Sequence, residues 1–307
     1  MNRIGVDLGG TKIAVAVMSP EGDVLFENRL LTPIGDYHAT LAAIVTLVRE
    51  AETAVGMVAG SGPVGIGIPG AESAGDATIK NANSTVLNGQ AFHRDLAELL
   101  QQPLRLANDA NCLALSEAFD GAGANAKVVF GVILGTGVGG GLVINGALIG
   151  GANRIAGEWG HNPLPWPQAD EQPGQTCYCG ATGCIETWLS GPALLADYRR
   201  NGGGVDVISA AAVCDQVGTG DGIAEAVLKR YYQRLARGLA AVINLIDPDV
   251  IVVGGGLSNH LPIYQQVPAL WHRWVFSDRV DTRLCRADHG DASGVRGAAR
   301  LWGLDDY

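Results

Sequence analysis

Lysine is scarce: only Lys12, Lys80, Lys127 and Lys229 occur, and the formal net charge is −10 over 307 residues. Such a chain has no basic stripe to cover a phosphate backbone, which excludes nucleic acid as its main partner. An apolar leader is missing from Met1-Asn2-Arg3-Ile4-Gly5, and no apolar run approaches membrane-spanning length. The expectation is a soluble cytoplasmic protein that does not engage a membrane. Charged residues are few, at 17%, against 47% hydrophobic ones, so a sizeable core is expected and disorder is not. The length suits one large domain or two ordinary ones. Without a secretory leader, six cysteines do not read as a disulfide framework, and Cys-x-Cys spacing favours thiolates for a metal. Cys112, Cys214 and Cys285 stand alone in apolar contexts and are expected to be reduced.

What is present centres on Gly157-Glu158-Trp159-Gly160-His161, then Cys177-Tyr178-Cys179-Gly180 and Gly183-Cys184-Ile185-Glu186. One imidazole and three thiols, His161, Cys177, Cys179 and Cys184, form the ligand set of a closed tetrahedral zinc site. Such a site ordinarily staples a fold. Glu158 and Glu186 lie two or three residues from ligands, so a metal here could also position carboxylates.

The chain opens with three strands, Arg3–Leu8, Ile13–Met18 and Val24–Leu30, separated by Gly9-Gly10-Thr11-Lys12 and Ser19-Pro20-Glu21-Gly22. A helix with Leu41, Ile44, Val45, Val48 and Ala51 on one face follows, then a buried strand Val64–Ile68 closed by Pro69-Gly70. A short helix near 92–101 and a strand Leu104–Ala107 lead to Asn108-Asp109, which caps another helix. A second strand-turn-strand starts at Lys127, and Gly131-Val132-Ile133-Leu134-Gly135 echoes Gly5-Val6-Asp7-Leu8-Gly9. This weak repeat predicts two similar α/β lobes: residues 1–120 with a C-terminal helix at about 291–307, and residues 121–290 carrying the cysteine segment. A long amphipathic helix bears Val227, Tyr231, Leu235, Leu239, Val242 and Ile246, and a strand Val250–Val253 ends at Gly254-Gly255-Gly256.

No Walker sequence is present. Gly135-Thr136-Gly137-Val138-Gly139-Gly140 satisfies the dinucleotide pattern, but that fingerprint must open a helix. Here Leu142–Ile149 reads as strand, type I′ turn at Asn145-Gly146, strand. Glycine hairpins can still turn amide N–H groups onto an oxyanion, or they can simply be tight turns. The pairing of Gly9-Gly10-Thr11-Lys12 with Gly135-Thr136-Gly137, the first led by Asp7, favours phosphate, with Asp7 placed for a hydrated magnesium ion. Gly255 and Gly256 mark a further close-approach site suited to a flat group such as adenine or ribose. Asp109 reads either as a plain helix cap or as a general base on a hydroxyl.

Asp7-Leu-Gly-Gly-Thr-Lys12, Asn108-Asp109-Ala-Asn, Gly135-Thr-Gly137-Val-Gly-Gly-Gly, Glu158-x-x-His161 and Cys177-x-Cys179-Gly-x-x-Gly-Cys184-x-Glu186 occur in the order seen in ROK-family sugar kinases. The resemblance runs from residue 2 to about residue 302. It implies an α/β fold of two actin/hexokinase-like (ribonuclease H-like) ATPase lobes, with ATP and sugar in the cleft between them. It implies Asp109 as the catalytic base and Gly70, Asn83, Asn108, Asp109, Glu158, His161 and Glu186 as sugar-binding residues. Asp7, Gly9, Gly10, Thr11, Lys12, Gly135, Thr136, Gly137, Gly139, Gly255 and Gly256 are implied to hold ATP and Mg2+. His161 is implied to bind structural Zn2+ through one ring nitrogen and a sugar hydroxyl through the other. One departure is the long insert from Asn162 to Gln175, which leaves His161 the ligand most in question. The stretches Lys80–Gln90 and Ala156–Trp166 look most like bacterial fructokinases of the manno-fructokinase type, which implies transfer to the C6 hydroxyl of fructose, with mannose as a further acceptor. N-acetylglucosamine or glucose is the alternative acceptor, and a non-catalytic sugar-binding regulator the alternative class. The family's repressors carry an N-terminal helix-turn-helix, for which a phosphate turn at residue 7 leaves no room. Family analogy and apolar helices imply a homodimer.

Overall fold

A computed structural model describes residues 1–82 and 84–303. Its chain divides into two compact units: Met1–Ala124 with Gly141–Ala156 and Asp288–Tyr307, and Asn125–Gly140 with Gly157–Ala287.

The first unit begins with β1 (Arg3–Leu8), β2 (Lys12–Met18) and β3 (Val24–Leu31), an antiparallel meander whose turns fall at the expected glycines. Helix α1 (Tyr37–Ala54) is started by Asp36, whose carboxylate accepts from the Ala39 amide at 2.9 Å. Strand β4 (Val64–Ile68) follows, then the short pair β5 (Ala71–Glu72) and β6 (Ile79–Lys80). Helix α2 (Phe92–Leu100), β7 (Leu104–Asn108) and α3 (Asp109–Asp120) complete the run. The sheet order is β3-β2-β1-β4-β7, with β1, β4 and β7 parallel. Ile4, Val6, Ile44, Leu47, Val64, Ile66, Phe92 and Leu96 are fully buried between this sheet and α1 and α2. Burial of each such side chain contributes about 1.5–3 kcal/mol.

The second unit carries β8 (Val128–Leu134) and the start of β9 (Val138–Ile144), whose hairpin ends in β10 (Ala147–Leu148). Asn145 and Gly146 both have positive φ, 51° and 77°, as a type I′ turn demands. Short helices α4 (Glu186–Leu189), α5 (Gly191–Arg200) and α6 (Ala210–Asp215) precede the long α7 (Gly222–Ile246). Strand β11 (Val250–Gly254), α8 (Ile263–Gln266) and β12 (Arg283–Arg286) close the unit. The order β9-β8-β11-β12 repeats the first sheet's hairpin followed by parallel strands, which is the structural form of the weak sequence repeat.

The chain then returns to the first unit through α9 (Ser293–Ala299). Its backbone lies so close to β1 and β4 that a methyl at Gly5 or Gly65 would collide with the Val295 or Ala298 carbonyl. Two stretches depart from the expected boundaries. Gly141–Ala156 belongs to the first unit, because Gly141 lies against the Ala110–Asn111 backbone and Arg154 pairs with Glu72. Asp288–Gly290 belongs there as well, because the buried Glu117 carboxylate accepts from the Asp288 and His289 amides. The fold is the expected α/β actin/hexokinase-like one. Among the described residues no helix is long and apolar enough to cross a membrane.

Candidate active site and metal centre

In the first unit the parallel register sets Asp7 opposite Gly67, and Ile68 opposite Asn108. The carboxyl ends of β1, β4 and β7 therefore bring Asp7, Pro69-Gly70 and Asn108-Asp109 to one sheet edge, where open α/β sheets bind ligands. Gly70 adopts φ 95°, and its bare α-carbon lets the Lys80–Ala82 segment lie against it. Asn83 itself lies outside the described residues. The Asn108 side chain caps α3 by accepting from the Asn111 amide at 2.7 Å, and one Asp109 oxygen accepts from the Ala110 amide at 2.8 Å. The dipeptide starts the helix, and the Asp109 residue is exposed at the helix start.

Asp7 is half-buried. Burial and the Asp109 charge push its carboxyl up to about 6, Lys12 opposing and Asp291 adding to the rise. Burial and the same two acids push up the fully buried Cys112 thiol behind them. Asp7 and Asp109 act on one another electrostatically at this sheet edge, a pair of acids that could hold a divalent ion. Lys12 reaches Asp291 at 3.4 Å across the exposed end of the hairpin. The Gly9 amide is spent closing that hairpin on the Lys12 carbonyl at 3.0 Å, so Gly10 and Thr11 form the tip left outside the ladder.

The second unit repeats this arrangement. The Gly135 amide donates to the Gly137 carbonyl at 3.0 Å, which leaves the exposed Thr136 at the tip. The run leads into β9, a strand, and not into the helix that the dinucleotide fingerprint requires. Gly139 sits within β9, away from the turn, and its carbonyl accepts from Trp159 Nε1 at 3.1 Å. Parallel register sets Gly254 opposite Ile133, so Gly255 (φ 81°) and Gly256 share the strand-end edge with Gly135-Thr136. Glu186 opens α4 and accepts from the Val138 amide at 2.9 Å. A Cβ at Gly137 would stand 2.8 Å from Glu186 Oε2, so a side chain there would displace that carboxylate.

The metal-type cluster is formed. The ligand atoms of His161, Cys177, Cys179 and Cys184 all lie within 4.8 Å of one another. His161 Nδ1 is 3.6 Å from Cys177 Sγ, and Cys179 Sγ is 3.7 Å from Cys184 Sγ. Tetrahedral zinc with Zn–S near 2.3 Å requires edges of about 3.8 Å, so this donor set fits the ion. The insert does not carry His161 away. Its first residues pair back on the cysteine segment, through Leu164 N to Gly183 O at 2.9 Å and Ile185 N to Asn162 O at 2.8 Å. Its far end is anchored by buried Glu171, which accepts from Arg237 at 2.7 Å and Arg234 at 2.8 Å on α7. Arg234 also donates to Asp197 at 2.7 Å. Burial alone would raise the Glu171 carboxyl, but these guanidinium groups and the Gln168 amide hold it down at about 2.

Sequence reasoning missed this ion-pair network and missed Tyr178. The Tyr178 hydroxyl lies 3.1 Å from His161 Nε2, the ring nitrogen turned away from the cysteines. Desolvation of that hydroxyl, with the charges of Glu186, Cys177 and Glu158, pushes it up, so it stays protonated. The only signal for Glu171 was an acid inside an insert. The signal for its partners was two arginines at i, i+3 beside an apolar stripe.

Known proteins give the family of the chain. The sequence model of the ROK family matches residues 3–304. N-acetyl-D-glucosamine kinase of Pectobacterium carotovorum subsp. carotovorum is 40% identical over 306 residues, 98% of this chain and 99% of that protein. The Salmonella paratyphi B protein of the same name is 41% identical over 302 residues, 97% of this chain and 98% of that one. Among solved structures, the ROK hexokinase from Thermus thermophilus superposes with TM-score 0.84 at 29% identity, covering 97% of each chain. A Streptomyces griseus ROK-family glucokinase in complex with glucose and AMPPNP gives 0.80 at 29% identity, covering 98% of this chain and 99% of that one. The chain belongs to the ROK family and is one of its sugar kinases.

Proposed function

We propose that this protein transfers the γ-phosphoryl group of ATP to the C6 hydroxyl of N-acetyl-D-glucosamine. The observation that carries the sugar assignment is the name shared by relatives 39–41% identical over almost the whole chain. Fructose, favoured by the two stretches at Lys80–Gln90 and Ala156–Trp166, has no such support and becomes the competing acceptor.

In this reading Asp109 accepts the hydroxyl proton as the bond to phosphorus forms. Asp109 is exposed at the start of α3, where one of its oxygens accepts from the Ala110 amide. Asn108, Glu158, His161 and Glu186 hold sugar hydroxyls in this reading, as do Gly70 and Asn83. Gly10, Thr11 and Lys12, together with Thr136 and Gly137, hold the phosphates, and Gly255 and Gly256 approach the nucleoside. Asp7 would hold Mg2+, which neutralises charge on the transferred phosphoryl group. Zn2+ would bind His161 Nδ1 and the three thiolates and keep the His161 ring and the neighbouring carboxylates in fixed positions. Positioning and charge neutralisation then supply most of the acceleration. A coupled assay for ADP tests the reading: release that depends on added N-acetyl-D-glucosamine supports it. Sugar-independent ADP release, or none, refutes it in favour of a decayed or regulatory protein.

A further inference from the structure

Tyr178 sits between two metal-type ligands, Cys177 and Cys179, and the residue is 66% exposed. An exposed phenol is ordinarily hydrated and free to rotate. This one is directed at a single partner: its ring meets His161 edge-on, with centroids 5.2 Å apart and planes at 88°, and its hydroxyl is 3.1 Å from Nε2. Nδ1 faces Cys177 Sγ at 3.6 Å. A metal on Nδ1 leaves the ring proton on Nε2, so Nε2–H donates to the Tyr178 oxygen. The charges of Glu186, Cys177 and Glu158 act on that hydroxyl. An imidazole N–H at hydrogen-bond distance from a hydroxyl is a contact a polyol substrate needs, and here the chain supplies the hydroxyl itself.

We infer that the Tyr178 hydroxyl occupies, in the sugar-free protein, the place on His161 that a sugar hydroxyl takes, and that substrate must displace it. The inference rests on the reading of Glu158, His161 and Glu186 as the sugar pocket. Tyr178 is then a positioning residue. It holds the His161 ring in its binding orientation before substrate arrives, at the cost of competing with the first sugar hydroxyl. Because His161 is itself half-exposed, loss of the phenol oxygen leaves water as its partner, and no buried donor is stranded.

The test uses the full chain loaded with zinc, as wild type and Tyr178→Phe, titrated calorimetrically with N-acetyl-D-glucosamine without nucleotide. One net hydrogen bond no longer surrendered tightens the sugar Kd about fivefold in Tyr178→Phe. Nitrogen-15 spectra give an independent readout. The His161 Nε2–H resonance should differ between the two sugar-free proteins and coincide once both are saturated, since the sugar is then the partner in each. An unchanged or weaker Kd in Tyr178→Phe overturns the inference, as do saturated spectra that still differ. Glu158→Gln, which spares the thiolates, separates this failure from failure of the pocket reading. If Glu158→Gln loses sugar affinity while Tyr178→Phe gains none, only the role of Tyr178 falls. If Glu158→Gln binds sugar like wild type, the pocket reading falls and this inference with it.

Discussion

Asp7 is expected to weaken the very fold it serves. Its carboxyl rises from an ordinary 3.8 to about 6 because burial and Asp109 disfavour its charge, with Asp291 adding to them and Lys12 offsetting only part. At about 1.4 kcal/mol per decade of proton affinity, holding Asp7 ionised costs the folded state about 3 kcal/mol. The sign follows from linkage: with the folded value raised, stability is fully present below about pH 4 and is lost as pH rises through about 6. Asp7→Asn removes the charge and keeps the shape, so near neutral pH it should stabilise the nucleotide-free protein by about 2–3 kcal/mol. The melting temperature should rise by roughly 5 °C, while sugar-dependent ADP release collapses. Thermal melts of both proteins from about pH 4 to 8, without nucleotide or magnesium, measure it. The gain should vanish at the acid end, where wild-type Asp7 is already neutral. A variant no more stable than wild type near neutrality, or a gain that persists below about pH 4, would refute the argument.

Four further outcomes are expected. Asp109→Asn should lower kcat by ~10²–10⁴-fold while calorimetry shows sugar binding retained; near-normal kcat would remove Asp109 as the base. Glu171→Gln should destabilise the second unit by about 3 kcal/mol at neutral pH, because a folded value near 2 gives stability that is lost as pH falls below about 4.5. A denaturant series that shows the same loss at about pH 2 would contradict this. Glu117→Ala leaves the amides of Ala122, Asp288 and His289 and the Ser293 hydroxyl without their buried acceptor, and should cost on the order of 3–5 kcal/mol in urea unfolding. Metal analysis should find one zinc per chain, reduced in Cys179→Ser; no zinc, with an unaffected variant, would sink the metal assignment.

The strand ends of the first unit were legible because glycine and proline punctuate them locally. Val64–Ile68 falls where its apolar run and Pro69-Gly70 set it, and Arg3–Leu8 ends at Gly9. The hairpin at Asn145-Gly146 was legible for the same reason. The anchoring of the insert was not, because Glu171 meets Arg234 and Arg237 across 63 and 66 residues and buried arginines resemble solvated ones in a sequence. The doubt over His161 came from counting residues in the insert. In the structure Asn162 and Leu164 pair with the cysteine segment, so the insert leaves His161 beside the cysteines. The contacts of Gly141–Ala156 with the first unit include a bare glycine packed on α3 and an ion pair from Arg154 to Glu72, which no periodicity reports. The preferred sugar was least legible, since epimers and acetamido sugars differ by single groups that side-chain placement discriminates.

The central claim is the acceptor, and kcat/KM measured side by side for N-acetyl-D-glucosamine, glucose, mannose and fructose tests it most directly. The account predicts that N-acetyl-D-glucosamine exceeds each of the others by at least about tenfold, a preference of about 1.4 kcal/mol in transition-state binding. Fructose equal to or above N-acetyl-D-glucosamine would contradict it.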